Sequence, residues 1–202
     1  MKHKKLNTRS LVLLSVLAAI LLVMSFTPLG YLNIGPLAIS LNMIPVAIAA
    51  VALGPMAGAI LGGMFGITSF LQCMGIGGIS GMGVILFEIS PVLAFVQRFV
   101  PRVLAGLLAG LVYRGSGKLF GQTAAAFITG LCAALFNTVL FMLFLVLLFG
   151  NTAYLQELIG GRNIIVFICA FVGVNAVVEM LAATFAVGLV GKALEKANLL
   201  RR

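Results

Sequence analysis

Apolar residues fill this chain in long runs, separated by short clusters of glycine, proline, asparagine and basic side chains. Roughly 170 residues lie in such runs, and about 20 apolar residues suffice for a helix to cross a bilayer. The pattern predicts six helices. The first spans Leu11 to Phe26, and Thr27–Pro36 (TPLGYLNIGP), with two prolines and two glycines, reads as a structured loop. A second helix runs from Leu37 to Leu53, is broken at Gly54-Pro55, and is followed by a third from Met56 to Leu71. Gln72–Gly83 (QCMGIGGISGMG) is too rich in glycine to hold a helix. The fourth stretch starts near Val84, is disturbed at Pro91 and Pro101, and ends at Tyr113-Arg114. Pro101 suits the first turn of that helix or a kink within it. Leu119–Phe149 forms the fifth helix, Asn151–Asn163 a more polar loop, and Ile164–Val190 the sixth helix.

Composition decides the solvent. Of 202 residues, 62% are hydrophobic and 8% charged, and the mean hydropathy is +1.24. A soluble domain carries roughly three times that share of charge, so lipid must solvate most of the chain. The expected fold is an all-α integral membrane protein, one domain over residues 1–202, with basic tails at 1–10 and 192–202. The net charge of +9 concentrates at membrane exits: Lys2, Lys4, Lys5 and Arg9; Arg114 and Lys118; Lys192, Lys196, Arg201 and Arg202. That is a topology signal and not a nucleic-acid surface. Six crossings put both termini and the Arg114–Lys118 turn in the cytoplasm together. The N-terminal run imitates a secretory signal, but no small-x-small cleavage pattern follows it, so it reads as a retained helix. Cys73, Cys132 and Cys169 are widely spaced in apolar context and read as buried small residues. No sequence repeat relates the two halves, which gives no support to an inverted-repeat carrier.

Small residues recur every four positions: Gly54, Gly58, Gly62 and Gly66; Gly106 and Gly110; Ala126, Gly130 and Ala134. Such stripes let membrane helices approach closely, within the bundle or against a partner. Ser15 and Ala19 form a small patch on the otherwise bulky first helix and are the candidates for a partner.

The few polar residues inside the runs carry the candidate chemistry. The four acids are all glutamates, with Glu195 in the C-terminal tail and Glu157 in a loop. Glu88 and Glu179 remain near or in the membrane, with Arg98 and Arg102 as possible counterparts. Rise per residue puts Arg102 about 18 Å, Glu179 about 20 Å and Asn137 about 28 Å from the cytoplasmic ends of their helices. Asn175 lies one turn beyond Glu179 and shares its face. Three helices therefore bring Arg102, Asn137, Asn175 and Glu179 to roughly one outer level. One arrangement is a buried Arg102–Glu179 salt bridge with hydrogen-bonding asparagines. The other is an outward-facing pocket in which Arg102 takes a ligand carboxylate. Gly115-Ser116-Gly117-Lys118 imitates a phosphate loop but is followed by Leu119 where Ser or Thr should stand. The Gly75–Gly83 glycines lack the βαβ unit of a dinucleotide site and suit a loop beside the pocket. With no Asp, one His and no carboxylate cluster, the chain offers no catalytic residues and no metal site.

These residues resemble a known family. FTPLGYLNIGP, then IPVAIAAVALGPMAGAILGGMFGITSF, look like the substrate-binding S-component of an energy-coupling factor (ECF) transporter. VPRVLAGLLAGLVYR, LFNTVLFM and NAVVEMLAA resemble the branch that includes pantothenate carriers, and the likeness runs from Leu11 to Leu194. The resemblance implies a high-affinity vitamin-binding subunit of an ATP-driven uptake system in a bacterial plasma membrane. Its partners would be a coupling membrane subunit and two cytoplasmic ATPases, which use the ATP; this chain itself would hold no cofactor. Ser15 and Ala19 match an Ala-x-x-x-Ala pattern that meets the coupling subunit, with serine replacing the first alanine. Family pockets are closed by the loops after the first and third helices, which here contribute Tyr31, Asn33 and Gln72. Arg102 would take the pantothenate carboxylate, and Asn137 and Asn175 its amide. The same role for folate, riboflavin, hydroxymethylpyrimidine or a queuosine precursor, or a stand-alone secondary carrier, are the alternatives.

Overall fold

The computed structural model describes residues 8–33, 38–197 and 199–200. Among them the chain is helical apart from one small hairpin. Helix α1 (Thr8–Ser25) leads through a single 3-10 turn (Pro28–Gly30) into strands β1 (Tyr31–Asn33) and β2 (Ala38–Ser40). The strands pair antiparallel, Tyr31 opposite Ser40 and Asn33 opposite Ala38. The expected second helix is therefore shorter than its apolar run: α2 covers only Met43–Leu53. Pro45 explains the late start. It has no N–H to give to a carbonyl four residues back, so it is tolerated in a first turn and not further in.

Helix α3 (Pro55–Leu71) begins after Gly54, whose φ of 98° takes the chain through a turn that L side chains resist. After a 3-10 turn at Gln72–Met74, α4 (Gly81–Ile89) forms where no helix is expected before Val84. Ser80 caps it by accepting the Gly83 N–H at 3.2 Å. Ser90 then caps α5 (Pro91–Phe120), with Pro91 in the first helical position. Pro101 lies deep inside this 30-residue helix, not at its start. Nor does the helix end at Tyr113-Arg114. Arg114–Lys118 forms its last turns, and the break comes at Gly121 with φ 82°.

Helix α6 covers Gln122–Phe149, and the polar loop after it folds in part into α7 (Ala153–Ile159). Helix α8 (Ile164–Lys196) runs past Val190, so Lys192, Glu195 and Lys196 stand on helix and not in a tail. The Thr123 hydroxyl donates to Glu195 and joins the start of α6 to the end of α8.

Among the described residues five stretches are long and apolar enough to cross a membrane: α1, α3 with the turn that follows it, α5, α6 and the Val172–Lys196 part of α8. The chain is a multi-pass membrane protein. Helix α2, at 11 residues, extends about 16 Å against a hydrocarbon core of about 30 Å. It compensates by position. Val46, Ala47, Ala49, Ala50 and Ala52 are buried, and α1, α3, α5, α6 and α8 all pack around it. Large apolar residues face outward on α1 (Val12, Val16, Val23) and α8 (Val174, Leu181, Leu189), as lipid contact requires.

The glycine ladder of α3 turns inward. A Cβ on Gly58 would strike the Gly106 carbonyl, one on Gly62 the Arg102 carbonyl, and one on Gly66 the Phe99 backbone. Gly130 of α6 likewise lies on the Ala183 backbone of α8. The stripes therefore serve helix packing inside the bundle. Ser15 and Ala19, by contrast, are exposed on α1. Of the cysteines only Cys73 is buried; Cys132 is half-buried and Cys169 exposed, because an apolar neighbourhood in lipid does not mean the protein interior.

Candidate functional site

The basic residues Arg9, Arg114, Lys118, Lys192 and Lys196 occupy one end of the long helices. Toward the other end lies a cavity of about 420 Å³, lined by the close of α1, the hairpin, the α3–α4 connection, and α5, α6 and α8. Helix α5 contributes two arginines four residues apart on one face. Both Arg98 and Arg102 are buried and both line the cavity.

Pro101 helps to set Arg102. Without an N–H it leaves the Gln97 carbonyl short of its helical donor. The Arg102 guanidinium takes that role, its Nη1 donating to the Gln97 oxygen at 3.1 Å. The guanidinium carbon sits 4.4 Å from the Phe141 ring centroid and 5.5 Å from that of Phe65, a cation–π seat between α6 and α3. Arg98 lies over the same Phe141 ring at 5.2 Å. It donates to Ser69 Oγ at 3.4 Å and to Ser80 Oγ at 3.1 Å. The Nε of each arginine is buried without a partner.

Acceptors face them from the other helices. Asn137 on α6 lines the cavity, with its Oδ1 buried and unpaired. Asn175 and Glu179 on α8 line it as well. Glu179 Oε1 accepts the backbone N–H of Ser40 at 2.6 Å and so ties the hairpin to α8. A buried Arg102–Glu179 salt bridge is not formed: among the described residues each has another partner, the Gln97 carbonyl for one and the Ser40 amide for the other.

The loop residues divide. Tyr31 lines the cavity, its hydroxyl buried without a hydrogen bond. Gln72 also lines the cavity, but its Nε2 donates to the Ser25 carbonyl at 2.7 Å and pins the end of α3 to the end of α1. Asn33 is paired with Ala38 in the hairpin, and its side chain lies outside the described residues. Glu88 is exposed on α4 and takes no part.

Arg98 is the main residue absent from the expected site. Its spacing from Arg102 is the signal that reveals it. Phe141 and Phe65 gave none, since an aromatic in an apolar run looks like core. The Glu179–Ser40 tie is testable. Glu179→Ala removes a charge-assisted bond of about 1.5–3 kcal/mol, so exchange of the Ser40 amide, followed by hydrogen–deuterium exchange, should quicken by about 10- to 100-fold.

Residues 9–191 match the family model described as the ECF transporter, substrate-specific component. The chain belongs to this family. As an S-component it is a transport protein and not an enzyme. It is 30% identical to the "Pantothenate transporter PanT" of Leuconostoc mesenteroides subsp. mesenteroides over 93% of both chains. It is 27% identical to the "Pantothenic acid transporter PanT" of Lactococcus lactis subsp. cremoris, over 96% of this S-component and 98% of that protein.

Proposed function

We propose that this S-component captures pantothenate at the outer face of a bacterial plasma membrane, as the vitamin-binding subunit of an ATP-driven uptake complex. The observation that carries the reading is the cavity toward the end opposite Arg9, Arg114, Lys118, Lys192 and Lys196, with two buried arginines on one wall and Asn137, Asn175 and Glu179 on the others. The positive-inside bias sets the basic end in the cytoplasm, so the cavity faces outward and both termini face in. Six crossings follow, with α2 and the hairpin making up one between them. At about 420 Å³ the space falls within the range of small-molecule sites, about 300–1,000 Å³. Pantothenate offers one carboxylate with amide and hydroxyl groups. Arg102 takes the carboxylate, Asn137 and Asn175 the amide, Glu179 a hydroxyl, and Tyr31, Asn33 and Gln72 belong to the closing loops. The names of the two relatives support the choice of vitamin.

Residues 1–202 act as one domain without a cofactor of its own. Coupling energy comes from a membrane subunit that meets Ser15 and Ala19 and from two cytoplasmic ATPases. Uptake of labelled pantothenate into cells without their own carrier tests this. Accumulation should require this chain, the coupling subunit and both ATPases together. Accumulation with this chain alone would point to a secondary carrier, and uptake of a different vitamin in its place would overturn the cargo.

A further inference from the structure

We infer that Arg98 is a second ligand to the bound anion and the residue that ties the anion to the α3–α4 connection; this rests on the reading of the cavity as an anion site. Arg98 and Arg102 share one Phe141 ring, both are buried, and among the described residues neither is ion-paired. Two like charges at close quarters, taken out of water, repel each other. A single carboxylate between them removes that repulsion, whereas one on Arg102 alone leaves Arg98 uncompensated.

Arg98 also reaches a different part of the molecule from Arg102. Its two hydrogen bonds go to Ser69 near the end of α3 and to Ser80, the cap of α4. Its guanidinium lies directly on the first turn of α4. A Cβ at Gly83 would stand 2.7 Å from Cys73 Sγ, 2.8 Å from Ser80 Oγ and 2.9 Å from Arg98 Nη2, so glycine lets these three side chains close on the turn without shifting. That turn is the positive end of the helix dipole. In the absence of an anion, the cation and the helix end oppose each other across the Ser80 bond. An anion beside Arg98 turns the opposition into attraction on both sides.

The connecting segment is built to respond. Gly75, Gly77 and Gly78 have φ of 78°, 76° and 137°. Gly77, Gly78, Ile79 and Ser80 line the cavity, and a Cβ at Gly77 would enter the Phe26 ring at the end of α1. Few contacts hold the segment down from outside, since the Ile79 side chain is 81% exposed. Backbone bonds from the Ile76 and Ser80 N–H groups to the Leu71 and Gln72 carbonyls close the segment onto the end of α3, and Arg98, through Ser80 Oγ, ties it to the α5 wall of the site.

Hydrogen–deuterium exchange and calorimetry on the purified full-length protein test the proposal, with pantothenate as probe. In the wild type, saturating ligand should slow exchange across Gln72–Gly83 by about tenfold or more. Arg98→Gln retains a donor for Ser80 but loses the charge. It should weaken binding by about 10- to 100-fold and abolish the ligand-induced protection even at saturation, with the melting temperature of the ligand-free protein held. Ser80→Ala should lose the protection with a smaller fall in affinity. Full protection in saturated Arg98→Gln would overturn the role of Arg98. Running the same measurements with nicotinate, biotin and folate separates this from the choice of vitamin. Protection by one of those and not by pantothenate, lost in Arg98→Gln, overturns the cargo and supports Arg98; no protection by any carboxylate overturns Arg98 as well.

Discussion

Replacing Arg102 with alanine is expected to weaken pantothenate binding by about 100-fold, read by calorimetry on the purified protein. Charge-assisted hydrogen bonds contribute about 1.5–3 kcal/mol each, and a guanidinium can give two to one carboxylate. The site adds preorganisation. Arg102 is held by the Gln97 carbonyl and seated against Phe141 and Phe65 before any ligand arrives, so little side-chain entropy remains to be lost on binding. Arg102→Lys separates charge from geometry. Lysine keeps a cation but neither the planar fork nor the ring stacking, and it should fall between wild type and alanine. Unchanged affinity in Arg102→Ala would remove the carboxylate assignment from this residue.

The second large effect is structural and reaches the site through the backbone. Gly62→Val should cost about 1–3 kcal/mol or more in stability and abolish ligand binding with it. A Cβ at position 62 meets the carbonyl of Arg102 itself, which cannot rotate away as a side chain could. Helix α5 must therefore retreat from α3 at a residue that lines the cavity. Gly106→Val should destabilise through the same seam, because its Cβ would meet the Gly58 carbonyl. Gly115→Ala is the control. It stands on an exposed turn of α5 with no neighbour within 4 Å of the added carbon, and alanine there should be neutral or stabilising by up to about 1 kcal/mol. Thermal unfolding followed by ligand titration of the three variants distinguishes a lost seam from a general dislike of substitution.

The same helices show what was legible in the sequence. Long apolar runs with basic ends give five of the long helices directly, because lipid demands continuous hydrophobicity and leaves few other solutions. Rise per residue was enough to bring Arg102, Asn137, Asn175 and Glu179 to one level, and all four line one cavity. The hairpin was not legible. Its strands are three residues long, too short for alternation to register, and Leu37–Leu41 is as apolar as any helix. Arg114, Gly115 and Gly117 are good stop signals and make α5 read too short, yet the turn needs the positive φ that Gly121 supplies. Partners distant in sequence were out of reach. Nothing in the chain says that Glu179 meets the amide of Ser40, 139 residues away, and that contact is what makes an Arg102–Glu179 pair unnecessary. Pro101 reads from sequence as a kink or a helix start; it lies inside α5, and the use of its missing N–H, to free the carbonyl that holds Arg102, is visible only in the folded chain.

In the proposed function the cavity binds a vitamin by its negative charge through the arginines of α5. A calorimetric titration of the full-length protein with pantothenate, beside the neutral alcohol in which the carboxylate is reduced, tests it most directly. Saturable one-to-one binding of pantothenate, with the alcohol weaker by about 100-fold, is the result predicted here. Equal binding of the two, or binding of the alcohol alone, would contradict it.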